Sequence, residues 1–370
     1  MTSRSDESIA LGERIFELLD QGRFTATYKY AVLLGLLDLC LENVTRHGEA
    51  PEVLYTRPLA EKVLELYWPH TRAWSTGELR QSSGLGGGQA EIVAAIAKLR
   101  RHLGADRALS ITQAQLLAPD RFEKLARFIE WKLIEMPLPR LQTIGKEIVP
   151  FLYTINWTAQ VSAADVRRYQ ETGGGAFDNR ILLRAGVGEH LVRLNGLLRP
   201  LLQRGWAVKV AELNDLDERR LEEFLFGAER ISLARVGDPL RELQDDRCFY
   251  CAGRLSGGAS LAPDVDHFIP WARHPDDGLN NLVVSHRRCN EYKRDFLAAV
   301  PHVVRWRARA KSAGAALEDI ASKTRWLWTP DRTLGVARAI YLRLPEDSRL
   351  WVQAQDFAPI DKTALGEALA

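Results

Sequence analysis

Two short spacings of thiol and imidazole stand out in the 370-residue chain. Cys248 and Cys251 form a CxxC half-site, and His286 and Cys289 form an HxxC half-site further on. Three thiolates and one imidazole are a tetrahedral ligand set for structural zinc, and two-residue spacers let both ligands of each half-site reach one ion. The bland alternative is four unconnected residues in a loop-rich surface segment. The fourth cysteine, Cys40, sits alone in an apolar stretch. Clustered thiols with one distant partner do not make the disulfide framework of a secreted protein.

Between the half-sites lies Asp266-His267, followed by Phe268-Ile269-Pro270. Asn281 comes next, Asn290 stands directly behind Cys289, and Lys293 follows three residues later. This stretch resembles the HNH endonuclease family, also called the His-metal finger or ββα-metal fold, in a zinc-stabilised form. The DH-x-x-P pattern, the Asn281-Leu282 pair and the closing CN-x-x-K carry the resemblance, over the 248–297 segment alone.

Phosphodiester hydrolysis needs an activated water, relief of charge on the phosphate, and help for the leaving oxygen. His267 can supply the first as a neutral imidazole acting as general base. A hard divalent cation can supply the others as a Lewis acid. Mg²⁺ or Mn²⁺ wants oxygen ligands, which Asp266 and Asn290 offer. Adjacent strand residues face opposite ways, so Asp266 and His267 cannot both point inward from a regular strand. Either the strand is distorted there, or the ion and the imidazole lie on opposite sides of the scissile phosphate. The resemblance further implies that Asn281 fixes the loop and orients His267, that Lys293 lies near backbone phosphates, and that one metal suffices, leaving 3′-hydroxyl and 5′-phosphate ends. The chain departs from the family pattern where Asn290 replaces a frequent final His and where His286 replaces the usual third Cys. His274 reads as a solvated loop residue or a substrate contact.

Fifty Lys and Arg against 48 Asp and Glu leave a net charge of +2, so a polyanion must be met by local patches. One such patch follows the HxxC half-site. Arg287, Arg288, Lys293, Arg294, Arg305, Arg307, Arg309 and Lys311 are opposed only by Glu291 and Asp295. Arg305 and Arg309 share a helical face with Trp306 between them, a surface able to grip phosphates without reading sequence. A solvated helix face is the plain alternative.

The elements that must position these groups are mostly helical, so the fold class is mainly α with a small α+β module. The length gives roughly two to three domains. We expect a helical N-terminal domain over 1–172, a helical connector over 173–245, the nuclease module over 246–300, and C-terminal helices over 301–370 packing back on the scaffold. Helical stripes run over 27–42, 58–68, 92–103 and 120–135, with a long tract over 186–214 interrupted near Pro200. Further helices are expected over 216–227, 231–244, 301–325 and 333–342, and strands within 148–157, at 181–183 and at 350–353. GLGGG at 84–88 lacks the Lys-Ser/Thr of a phosphate loop and reads as a plain loop. Gly257-Gly258 is expected to turn the chain toward the first strand of the module. The YWPHTRAW segment at 67–74 and the GLGGG loop read as helix caps and core filler, with contact surfaces as the alternative.

The first twenty residues carry five acidic groups and no apolar core stretch, and no apolar run approaches the ~20 residues that span a bilayer. A soluble cytoplasmic protein is expected, with no membrane partner. The leading reading is a DNA endonuclease. A weaker resemblance of the stretch before Cys248 to larger bacterial HNH proteins with a helical half points to restriction or antiviral defence. The competing readings are a zinc-stabilised nucleic-acid-binding module without hydrolysis, and a nuclease acting on RNA. A double-strand break from one site per chain calls for a homodimer or sequential nicks, and a defence-system partner protein fits the same reading.

Overall fold

Tyr28–Glu42 reads YKYAVLLGLLDLCLE, apolar on every side, and such a helix must be enclosed all round. In the computed structural model it is: Ala31 through Leu41 are buried without interruption. Its one interior charge, Asp38, is paired with the buried Arg199, as burial demands. Burial pushes the Cys40 thiol up to about 12, so this cysteine is a small hydrophobe in the core. The structure describes residues 4–21, 26–74, 77–83, 89–104, 109–175, 177–217, 221–227, 233–255, 258 and 260–370. The 84–88 loop and Gly257 lie outside the described residues.

The chain divides into two units, Met1–Cys40 with Ala50–Glu229, and Leu41–Glu49 with Arg230–Ala370. In the first, Thr56–Tyr67 packs on Pro119–Glu135, each through an amphipathic face. Val187–Asn214 buries Leu198, Leu202, Trp206 and Val210. Pro200 lies inside this continuous helix and does not interrupt it. Proline costs one backbone bond there, and the long buried face carries the helix through. Three short strands form one antiparallel sheet, with Arg180–Leu183 between Val53–Tyr55 and Tyr153–Ile155. The 67–74 segment is core at its start. Tyr67, Trp68, His70 and Thr71 are all buried, and His70 packs among the rings of Tyr67, Trp206 and Phe226. Burial lowers the His70 imidazole to about 3, keeping it neutral.

The second unit is built around an antiparallel hairpin, Pro263–His267 against Leu282–His286, followed at once by the short helix Arg287–Lys293. Seven residues are too few for a stable isolated helix, so tertiary contacts must hold this one. The second strand is buried along its whole length. Its free edge is covered: Phe249 N–H and the Gln244 amide donate to Val284 O, and Val284 N–H donates back to Gln244 Oε1.

The helices Val300–Ser312, Gly314–Thr324 and Pro330–Tyr341, a hairpin of Arg349–Gln353 with Asp356–Pro359, and a last helix Lys362–Leu369 complete the unit. The C-terminal 301–370 stretch shares this unit with the hairpin. The physical reason is aromatic. Trp306 is fully buried, stacks on Phe268 with ring centroids 4.9 Å apart, and donates to Asn280 O at 2.7 Å. Trp351 and His302 stack on each other nearby, and Tyr250 meets both edge-on. Among the described residues no helix is long and apolar enough to cross a membrane.

Candidate active site and zinc centre

The CxxC segment forms a tight knuckle. Cys248 N–H donates to Gly253 O, Ala252 N–H returns to Cys248 O, and Ala252 adopts a left-handed φ of 57°. This turn aims Cys248 and Cys251 at the N-terminus of the Arg287–Lys293 helix, where His286 and Cys289 wait. The ligand atoms of all four lie within 4.8 Å of one another. Cys251 Sγ is 3.2 Å and Cys289 Sγ 3.9 Å from His286 Nδ1. A zinc tetrahedron with bonds of about 2.0–2.3 Å has edges of roughly 3.5–3.8 Å, so the set fits structural Zn²⁺. His286 Nε2–H donates to Arg254 O at 3.0 Å, which leaves Nδ1 as the ligating nitrogen. The Cys289 thiol and the backbone N–H groups of Cys251, His286 and Tyr250 hold the Cys248 thiol down to about 5 against the opposing effect of burial. Cys289 is raised, chiefly because it shares its proton with Cys248. Thiolate at a helix N-terminus also matches the helix dipole.

Pairing through the hairpin is regular. Asp264 faces Ser285, Asp266 faces Val283 and His267 faces Leu282, with no shift of register. Local distortion is therefore not how the strand presents its polar groups; alternation is. Asp264 and Asp266 share the side covered by the short helix. Asp264 Oδ2 accepts from Asn290 Nδ2 at 2.8 Å. Asp266 Oδ2 accepts from the Tyr250 hydroxyl at 2.5 Å and pairs with Lys293 Nζ at 3.1 Å. Burial, reinforced by Asp266, raises the Tyr250 phenol well above its usual value, so it stays a donor. His267 makes its contacts elsewhere. Its Nε2 lies 2.8 Å from Asp277 Oδ1, and its ring centroid is 5.3 Å from that of Trp271.

Asn281 is fully buried and ties down the loop between the strands. Its Oδ1 accepts from Ile269 N–H at 2.8 Å, and its Nδ2 donates to Ile269 O and Asp276 O. The sequence-predicted cation ligands, Asp266 and Asn290, both lie at the interface between the first strand and the helix, Asp266 held by Tyr250 and Lys293 and Asn290 by Asp264. Each uses one polar atom internally, Asp266 its Oδ2 and Asn290 its Nδ2, leaving Asp266 Oδ1 and Asn290 Oδ1 for other partners.

Three of the cations expected to contact nucleic acid are placed differently. Lys293 is fully buried, paired with Asp266 and donating to His267 O at 2.8 Å. Arg309 donates to Leu282 O at 2.7 Å and Asn280 O at 2.8 Å, and burial lowers its guanidinium to about 10. Arg305 donates to Phe249 O and Tyr250 O. The two arginines tie the Val300–Ser312 helix to the hairpin and the zinc knuckle by donating to backbone carbonyls there. Arg287, Arg288 and Arg294 are exposed beside the site. His274 is buried, not solvated, with Nε2 3.6 Å from Glu42 Oε1. Sequence reasoning missed Tyr250, Asp264 and Asp277. The period-2 pattern of Asp264 and Asp266 was the available signal for one of them.

A hairpin and a short helix, pinned at their junction by a Cys₃His centre, define a zinc-stabilised ββα module. Residues 248–299 of the chain match the HNH endonuclease family. Searches of curated proteins and of solved structures gave no match.

Proposed function

We propose that this chain is a metal-dependent endonuclease that hydrolyses DNA phosphodiester bonds at the Asp266–His267–Asn290 site. The observation that supports this best is the regular strand carrying Asp266 and His267. It turns the Asp266 carboxylate toward the helix that carries Asn290, where oxygen donors suit a hard cation, and the His267 imidazole toward the other face, where it is free to act as base. Mg²⁺ and Mn²⁺ are commonly held by one or two protein oxygens, with water and substrate phosphate completing the shell, and the donor pair here suits that chemistry. When bound, the ion supplies Lewis-acid stabilisation of the phosphoryl and leaving oxygens.

The chain's own groups do the rest. His267 accepts the proton of the attacking water. Lys293 and Tyr250 hold the Asp266 carboxylate in place through Oδ2. Asp264 orients the Asn290 amide so that its oxygen, not its NH₂, faces away from the strand. Asn281 sets the loop that follows His267. Arg287, Arg288 and Arg294 meet backbone phosphates, which gives affinity without base readout. The site is one per chain among the described residues, so a double-strand break takes two chains or two nicks. The proposed setting is restriction or antiviral defence in the cytoplasm; plaque counts on cells expressing wild type against His267→Ala test it.

The direct experiment incubates the full-length chain with supercoiled plasmid, with and without added Mg²⁺ or Mn²⁺. Nicked or linear DNA only with added ion is the expected result. Binding without cleavage under every ion would favour a zinc-stabilised binding module. Cleavage of RNA but not DNA would correct the substrate.

A further inference from the structure

We infer that Asp277 is the positioning residue of the site, a carboxylate that fixes the tautomer of His267 so that Nδ1 is its basic nitrogen. This rests on the nuclease reading above. His267 Nε2 and Asp277 Oδ1 are 2.8 Å apart, and their side chains are only 18% and 20% exposed. A carboxylate only accepts, so the proton of the neutral ring stands on Nε2 and the lone pair on Nδ1. The hydrogen bond thereby decides which edge of the ring meets water.

The consequence for the reaction is an interaction that strengthens as the proton moves. An O–H bond of water breaks, and its proton goes to Nδ1. The new P–O bond forms, and the scissile P–O bond breaks with its electron pair on the 3′ oxygen, which takes a proton from solvent. His267 is then an imidazolium whose Nε2–H points at a carboxylate. A charge-assisted bond of this kind is roughly twice as strong as a neutral one. Its gain appears only as the proton arrives, which is where it lowers a barrier.

Asp277 is held rigidly enough to do this. Its carbonyl accepts from Trp326 Nε1 at 2.6 Å. The neighbouring Asp276 is buried, with Oδ1 accepting from Gly278 N–H and Oδ2 from the Thr333 hydroxyl at 2.9 Å. Asn281 Nδ2 donates to Asp276 O, and Leu279 N–H donates to Leu327 O. The 276–279 turn is thus clamped from below by Asn281 and from the C-terminal segment by residues 326, 327 and 333. That segment forms part of the shell that aims the imidazole, and a misplacement of a catalytic group by about 1 Å can cost about 10²-fold.

The test compares Asp277→Ala and Asp277→Asn with wild type in the zinc-loaded full-length chain. Long-range ¹H–¹⁵N correlation spectra report the His267 tautomer, with its signals assigned by His267→Gln. Wild type should show the Nε2–H tautomer, and Asp277→Ala a mixture. Asp277→Asn keeps an acceptor oxygen without the charge, so it should retain the tautomer. In single-turnover cleavage, Asp277→Ala should lose about 10²-fold in rate with DNA affinity unchanged, in line with losses on removing a supporting carboxylate. Asp277→Asn should fall between the two. An unchanged tautomer in Asp277→Ala overturns the inference. So does full cleavage by Asp277→Ala where His267→Ala is inactive. A wild type that cleaves nothing overturns the nuclease reading instead, and the spectra then decide the Asp277 contact alone.

Discussion

Replacing Lys293 by methionine separates a structural cation from a phosphate contact. Its Nζ is enclosed, 3.1 Å from Asp266 Oδ2 and 2.8 Å from His267 O. Methionine keeps the length of the stem and leaves Asp266 with the Tyr250 hydroxyl alone. Breaking a buried pair from one side costs about 3–5 kcal/mol, and the retained phenol bond places this case near 3 kcal/mol. In a unit of roughly 150 residues each kcal/mol lowers Tm by about 2–4 °C, so Tm should fall by about 6–12 °C. Calorimetric melts of the zinc-loaded chain measure this. In parallel, fluorescence anisotropy on duplex DNA across a salt series measures phosphate contacts. Loss of one such contact makes the salt slope shallower by about one, and here the slope should not change. An unchanged Tm together with a shallower slope would refute the buried placement and restore Lys293 as a phosphate ligand.

The exposed arginines should behave in the opposite way. Arg287→Ala with Arg288→Ala should reduce the salt slope by about two at unchanged Tm, measured in the same titration. Cys289→Ser should bring zinc content by mass spectrometry from one per chain to near zero, and amide protection of the hairpin should fall with it, since structural zinc contributes folding energy directly. Acid should release the ion. The Cys248 thiol is depressed to about 5, so its stabilising contribution is complete above the usual thiol value of about 8.5 and is lost as pH falls through about 5. A chromophoric chelator should report zinc retained at pH 7 and released on acidification, as protons compete with the ion for the thiolates and imidazole; retention at pH 3 would contradict the ligand set. Trp306→Ala should cost about 4 kcal/mol, read by denaturant melts, because it removes a fully buried ring and its bond to Asn280 O.

The Cys₃His set was legible in the sequence because tetrahedral coordination forces short spacers, and the hairpin and short helix were implied by the resemblance carried by the residues between and behind its half-sites. Asp266, His267, Asn281 and Asn290 could be named for a similar reason, as each sits at a fixed offset within that small module. Partners supplied from a distance were not legible. Asp277 meets His267 only because the loop between the strands folds back, and Trp326 and Thr333 clamp that turn from far along the chain. Lys293, Arg305 and Arg309 look like a phosphate grip in one dimension. Long cationic side chains take whatever acceptors the tertiary fold offers, and here those are Asp266 and backbone carbonyls of the module. The same holds for Pro200, which reads as a break until the buried face of its helix outweighs one lost bond.

The measurement that bears most directly on the central claim is single-turnover cleavage of an end-labelled duplex by wild type and His267→Ala. The two proteins are compared in Mg²⁺ at matched zinc content, matched Tm and matched DNA affinity. Removal of a general base should slow cleavage by about 10²–10⁴-fold, with wild type leaving 5′-phosphate ends. Equal rates for the two proteins would contradict it.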